Sequence, residues 1–201
     1  MSTSAKSEPR WARRKHARPE EITAAALELF VERGYAGTRL DDVATRAGIS
    51  KGTLYLYFEN KEELFMAVVR EGIVSPIAEI RGRVDQFEGS TLELLRMMLF
   101  GWWERVGATR LSGIQKLIFA EAGNFPELAH FYVAEVVDPG HEVIKAIVKR
   151  GIARGDIFQA RAGVAALDEL LQRGSGDFLR ARVLAARPAG LGFGGCGHGE
   201  M

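Results

Sequence analysis

Apolar residues recur along this chain at the helical period, not in the alternation that marks strands. Pro19 suits a first helical turn. After it, Ile22, Ala25, Ala26, Leu29 and Phe30 form one stripe ending at Gly34, which predicts a helix closed by a C-cap glycine. Thr38-x-x-Asp41 reads as an N-cap with an acid at the capping-box position; it opens a short helix with Leu40, Val43, Ala44 and Ala47 inward, closed by Gly48. Ser50 caps a second short helix with Leu54 and Phe58 inward, and Asn60 caps a longer one carrying Leu64, Phe65, Val68 and Val69. Beyond Pro76 the pattern predicts helices over 91–107, 110–122, 126–153 and 163–182. Asp138-Pro139-Gly140 should kink or interrupt the third of these. The fold class is all-α.

Composition narrows the classes without choosing among them. Of 201 residues 47% are apolar and 26% charged, ordinary values for a globular chain able to bury a core. The single cysteine, Cys196, can make neither an internal disulfide nor a Cys-based zinc cage. The longest apolar run, Leu94 to Trp103, is interrupted by Arg96 and falls short of the roughly 20 residues of a membrane span. No apolar stretch follows the charged N-terminus, so a cytoplasmic protein is expected, with no membrane partner. The net charge of +1 hides an asymmetry: residues 1–18 hold six Lys/Arg against one acid, and residues 62–201 hold 16 basic against 18 acidic residues. A basic front on a slightly acidic body fits a nucleic-acid-binding head, or equally a solubilising tail.

Residues 38–61, TRLDDVATRAGISKGTLYLYFENK, carry the chemistry. Two short helices separated by Gly48 have the helix-turn-helix layout, in which the second helix enters the DNA major groove. With Lys51 at 0° and about 100° per residue, Leu54 and Phe58 face the core, while Gly52, Leu56 and Thr53 face away from it and Lys51, Tyr55 and Tyr57 flank them. A solvated face would be covered with charge. This one is small and hydroxylated at its centre, with long hydrogen-bonding side chains at its edges, as suits a helix pressed into a groove.

Residues 16–76 resemble the DNA-binding domain of TetR/AcrR-family transcriptional regulators. The matches are Ile22-x-x-Ala25-Ala26-Leu27-x-Leu29-Phe30, Gly34-Tyr35-x-Gly37-Thr38, and Val43-Ala44-x-x-Ala47-Gly48-Ile49-Ser50-Lys51-Gly52-Thr53-Leu54-Tyr55-x-Tyr57-Phe58-x-x-Lys61-Glu62-Glu63-Leu64. The resemblance implies a three-helix DNA-binding domain (16–76, helix-turn-helix 39–58) and a helical effector-binding and dimerisation body (77–185), while charge and glycine composition predict a basic flexible arm (1–15) and a Gly-rich disordered tail (186–201). The resemblance also implies a homodimer that binds a palindromic double-stranded operator, is released by a small-molecule effector, and contacts DNA through Thr38, Arg39, Ser50, Lys51, Gly52, Thr53, Tyr55, Tyr57 and Lys61. An activator, or a regulator insensitive to ligand, is the alternative within the family. A helical small-ligand-binding protein with no role on DNA is the alternative from another class.

In the body, Met97, Met98, Phe100, Trp102, Trp103, Phe119, Phe131 and Tyr132 are bulky and apolar enough to line an effector cavity or simply to be core. A lining of this kind suits a hydrophobic effector. Leu128, Phe131, Tyr132, Val143, Ile144, Ile147, Val148 and Ile152 share one side of the long helix and form a candidate dimer stripe. Beyond Ala160 the chain departs from the family, because Gly163, Gly174, Gly176 and the glycine-rich end dilute the last helix. A shifted reading frame would produce such an ending and would impair the dimer interface. No metal, cofactor or enzymatic site is expected: the four histidines have no ligand spacing, no nucleophile–base pairing is present, and Gly192-x-Gly194-x-x-Gly197 lacks the strand and helix its chemistry needs.

Overall fold

Gly34 sets the first corner. In this computed structural model, which describes residues 19–156 and Ala181, helix α1 (Pro19–Gly37) is broken at Gly34, whose φ of 75° falls in the left-handed region open to glycine. Helices α2 (Leu40–Arg46) and α3 (Lys51–Tyr55) follow, joined through Gly48 at φ 71°. Ser50 caps α3 by accepting from the Thr53 amide, and Asn60 caps α4 (Lys61–Val69) by accepting from the Glu63 amide. The expected cap at Thr38 is not formed. Its hydroxyl is turned inward and donates to the carbonyls of Leu29 and Gly34, so Arg39 holds the N-cap position without a side-chain bond.

Neither proline breaks its helix. After α4 the chain passes through a π-helical turn, Arg70–Val74, directly into α5 (Ser75–Val84), so the expected boundary at 76/77 lies inside one continuous helix. The same device recurs where α8 (Pro126–Tyr132) passes through the π-helical turn Val133–Val137 into α9 (Asp138–Arg154), across the Asp138-Pro139-Gly140 segment expected to kink or interrupt it. Pro76 and Pro139 each stand second after their wide turn. A proline ring clashes with the carbonyl four residues back and has no N–H to give it, and the extra residue of a π turn removes that conflict. Ser75 donates its hydroxyl to the Arg70 carbonyl, satisfying one acceptor of the widened turn. Between them lie α6 (Thr91–Trp102), extended by a third π-helical turn at Trp103–Gly107, and α7 (Ser112–Glu121). No strand occurs among the described residues.

The core is continuous from the N-terminal helices into the body. Phe30, Tyr35, Phe65 and Phe125 form one aromatic cluster, with Tyr35 at 4.7 Å from Phe125 and 5.5 Å from Phe65, both edge-on. This fixes the end of α1 against both α4 and the start of α8. The predicted dimer stripe is largely used within the chain: Leu128, Phe131, Tyr132, Val143 and Ile147 are all buried in this core. The basic arm 1–15, the helix predicted over 163–182 apart from Ala181, the chain beyond Ala160 generally and the Gly-rich tail 186–201 with its glycine motif lie outside the described residues.

Candidate nucleic-acid interface and effector cavity

Leu54 and Phe58 anchor α3 to the core, which turns the opposite face outward. Lys51, Gly52, Tyr55, Leu56 and Tyr57 are exposed, with Thr53 at the edge. Leu56 is 83% exposed and stands between the exposed Tyr55 and Tyr57. A Cβ built on Gly52 would meet only Ser50 Oγ at 3.9 Å, so nothing inside the chain requires glycine there. Ser50 and Thr53 exchange a hydrogen bond of 2.8 Å between hydroxyls, which fixes both at the start of the helix. Lys51 reaches back to Asp41 of α2 at 2.8 Å, and that carboxylate raises its pKa. Arg39 is exposed at the head of α2 and makes no ion pair among the described residues.

Two of the expected contact residues are placed differently from the rest. Thr38 is 1% exposed, and its hydroxyl is consumed inside the α1–α2 corner. Lys61 is half-buried: its ammonium donates to the Tyr35 carbonyl at 2.7 Å and lies 4.5 Å from the centroid of the Tyr35 ring. It therefore complements the C-terminal end of α1. Burial lowers its pKa, opposed by Glu121. The remaining seven, Arg39, Ser50, Lys51, Gly52, Thr53, Tyr55 and Tyr57, lie along α3 and the head of α2.

A cavity of about 260 Å³, partly open to solvent, lies between α5, α6, α7 and the continuous helix of α8 and α9. Of the residues expected there, Met98, Trp102, Phe119 and Tyr132 line it, whereas Met97, Trp103 and Phe131 do not. Met98 and Trp102 share a face of α6 at i, i+4, and Met97, Phe100 and Trp103 are exposed on another. Phe131 lies under the Arg70 guanidinium, 5.0 Å from its ring centroid. The walls that sequence reasoning missed are Ile77 and Ile80 of α5, and Val136 and Val137 of the second π-helical turn. As isolated apolar positions they carry no mark distinguishing them from core. The lining holds few polar side chains, chiefly Gln115, His141 and Tyr132. Burial pushes the Tyr132 hydroxyl up to about 12.

Residues 22–68 match the family model for bacterial regulatory proteins of the tetR family. That span runs from the first buried residue of α1 to the last turn of α4 and contains the whole α2–α3 unit. The N-terminal domain is a TetR-family DNA-binding domain. The chain is 40% identical across 71 residues to the HTH-type transcriptional regulator RutR of Escherichia coli, covering 35% of this chain and 34% of that one. It is 39% identical across 61 residues to the HTH-type transcriptional activator FasR of Mycolicibacterium smegmatis (30% and 28%), and 44% identical across 46 residues to the negative transcriptional regulator IcaR of the icaADBC biofilm operon of Staphylococcus epidermidis (23% and 25%). The matches thus span about a third or less of these curated relatives. The fold likeness extends further. The fatty acid degradation regulator FadR of Bacillus halodurans superposes with a TM-score of 0.61 at 21% identity, covering 87% of this chain and 93% of that one. A gamma-butyrolactone receptor superposes at 0.60 with 23% identity, covering 83% and 79%. The TetR-type domain therefore sits on a body with the fold of such regulators.

Proposed function

We propose that the chain is a sequence-specific transcriptional regulator that binds a palindromic operator as a homodimer and represses until a small apolar effector enters the cavity. The outer face of α3 carries this reading. Gly52, Thr53 and Leu56 offer a low, uncharged centre that fits base edges and a thymine methyl, and Lys51, Tyr55, Tyr57 and Arg39 stand where groove walls present phosphates. Ser50 is held by its own cap and positions the helix start. In this reading residues 16–76 bind DNA, residues 77–185 bind effector and form the dimer, and the basic arm 1–15 adds phosphate contacts.

Two α3 helices of a dimer must reach successive major grooves, roughly 34–36 Å apart. Effector binding favours a subunit arrangement with another separation, which lowers operator affinity by a coupling of about 1–3 kcal/mol. No helix among the described residues is long and apolar enough to cross a membrane, and the protein acts on DNA in the cytoplasm.

The test is a mobility shift with the full chain on the DNA upstream of its own gene, against random duplex, at two salt concentrations. The expected result is a specific shift that weakens as salt rises. Equal affinity for random duplex, or no duplex bound at either salt, would overturn the proposal.

A further inference from the structure

The cavity has a polarity that narrows its occupant. Tyr132 is 2% exposed, lines the cavity, and its hydroxyl makes no hydrogen bond of proper geometry. Gln115, also in the lining, is the polar group beside it, near enough to oppose the rise that burial gives the Tyr132 pKa. A buried hydroxyl without a partner is uncommon and marks a place where a missing group belongs. Among the described residues of the lining there is no Lys, Arg, Asp or Glu, and His141 is already engaged by a neighbour.

A carboxylate or phosphate buried among this lining would lose part of its hydration and meet no lysine or arginine, which disfavours charged molecules. A hydrocarbon would leave the Tyr132 hydroxyl as it is. A carbonyl oxygen accepts from both the Tyr132 O–H and the Gln115 amide N–H, satisfying the first and fixing the second. Size follows from the volume. An apolar cavity of about 150 Å³ takes up benzene, so 260 Å³ holds about ten non-hydrogen atoms.

We infer that the cavity takes an uncharged, mostly aliphatic molecule of about ten non-hydrogen atoms bearing one carbonyl oxygen, a ketone, ester or lactone, held by Tyr132 and Gln115. The assignment rests on the effector reading above and supplies its chemical class. The carbonyl end lies at α7 and α8, and the aliphatic remainder lies along Ile77, Ile80 and Val136.

Three probes of equal size separate the possibilities when titrated calorimetrically into the full chain: nonan-2-one, octanoate and butylbenzene. Nonan-2-one is expected to bind at least tenfold more tightly than octanoate. Tyr132→Phe should weaken the ketone about tenfold and leave butylbenzene unchanged. Because the hydroxyl has no partner, Tyr132→Phe should keep or raise the thermal midpoint of the free protein. Gln115→Leu provides a second variant with the same expected loss for the ketone.

Octanoate binding as tightly as the ketone, a ketone affinity indifferent to both variants, or no binding of any probe would each overturn the assignment. The operator shift assay, run alongside, separates the two readings. Ketone binding that depends on Tyr132 without altering operator affinity would uphold the ligand class and remove its effector role. Operator binding with none of the probes bound would overturn the ligand class alone.

Discussion

Arg70 grips Glu135 through two parallel hydrogen bonds, of 2.7 and 3.0 Å, joining the π-helical turn that follows α4 to the one that follows α8. The pair is bidentate, the arrangement that holds a guanidinium and a carboxylate in one orientation. It lowers the Glu135 pKa and raises that of Arg70. Glu135 is followed directly by Val136 and Val137 of the cavity wall, while Arg70 continues α4 out of the DNA-binding domain.

Breaking this fork should affect coupling more than stability. Both side chains are substantially exposed, so Arg70→Met or Glu135→Gln should each cost under about 1 kcal/mol in urea unfolding. The ratio of operator affinities with and without a saturating cavity ligand should fall several-fold. An unchanged ratio would reduce the fork to a surface ion pair.

Gly52→Ala should separate folding from binding. The added methyl meets no close atom and improves helix propensity, so unfolding free energy should hold or rise by up to about 1 kcal/mol. Operator affinity should drop by about 1–3 kcal/mol, because the methyl stands where base edges approach. Undiminished binding by the alanine variant in the shift assay would place α3 too far from the groove for base contact.

Lys61→Ala behaves in the opposite way, losing stability along with DNA affinity. The substitution removes the donor to the Tyr35 carbonyl and the charge at the end of α1, worth about 1 kcal/mol in chemical denaturation. A variant as stable as the parent, but weaker on DNA, would make the lysine a plain phosphate ligand.

Asp156 supplies a pH-dependent clasp. Its carboxylate accepts from the Thr91 amide at 3.0 Å and the Thr91 hydroxyl at 2.8 Å, and these bonds hold its pKa below the ordinary aspartate value. A depressed folded pKa gives stability that is complete above the unfolded value, near pH 4, and is lost as pH falls through the folded one. Asp156→Ala should therefore lower the thermal midpoint at pH 7, with the gap to the parent closing toward pH 2. A gap independent of pH would assign the effect to packing.

Helix α3 was legible because several local rules agreed there. Ser50 and Asn60 are caps by residue type, and Leu54 with Phe58 fix the helix face by spacing alone. Thr38 was misread because a threonine three residues before an aspartate has the form of a cap. Its actual partners, the Leu29 and Gly34 carbonyls, come within its reach at the corner made by Gly34, a geometry that residue type does not announce. Pro139 reads as a kink or interruption, and a domain boundary falls at 76/77, for a related reason: a π turn that absorbs a proline leaves no mark in hydrophobic spacing. The cavity was legible in part. Tyr132, Met98, Trp102 and Phe119 stood out as large side chains, but Ile77 and Val136 acquire their role only from which helices converge.

The unbroken helix from Lys61 to Val84 makes the π-turn at its middle mechanically consequential. Ile77 lies sixteen residues from Lys61, about 24 Å along the axis. A tilt of about 5° imposed where Ile77 meets the cavity would carry the Lys61 end sideways by about 2 Å. A stiff rod thus amplifies a small wall displacement, and any residue inserted into or deleted from it would also rotate one end against the other by about 100°.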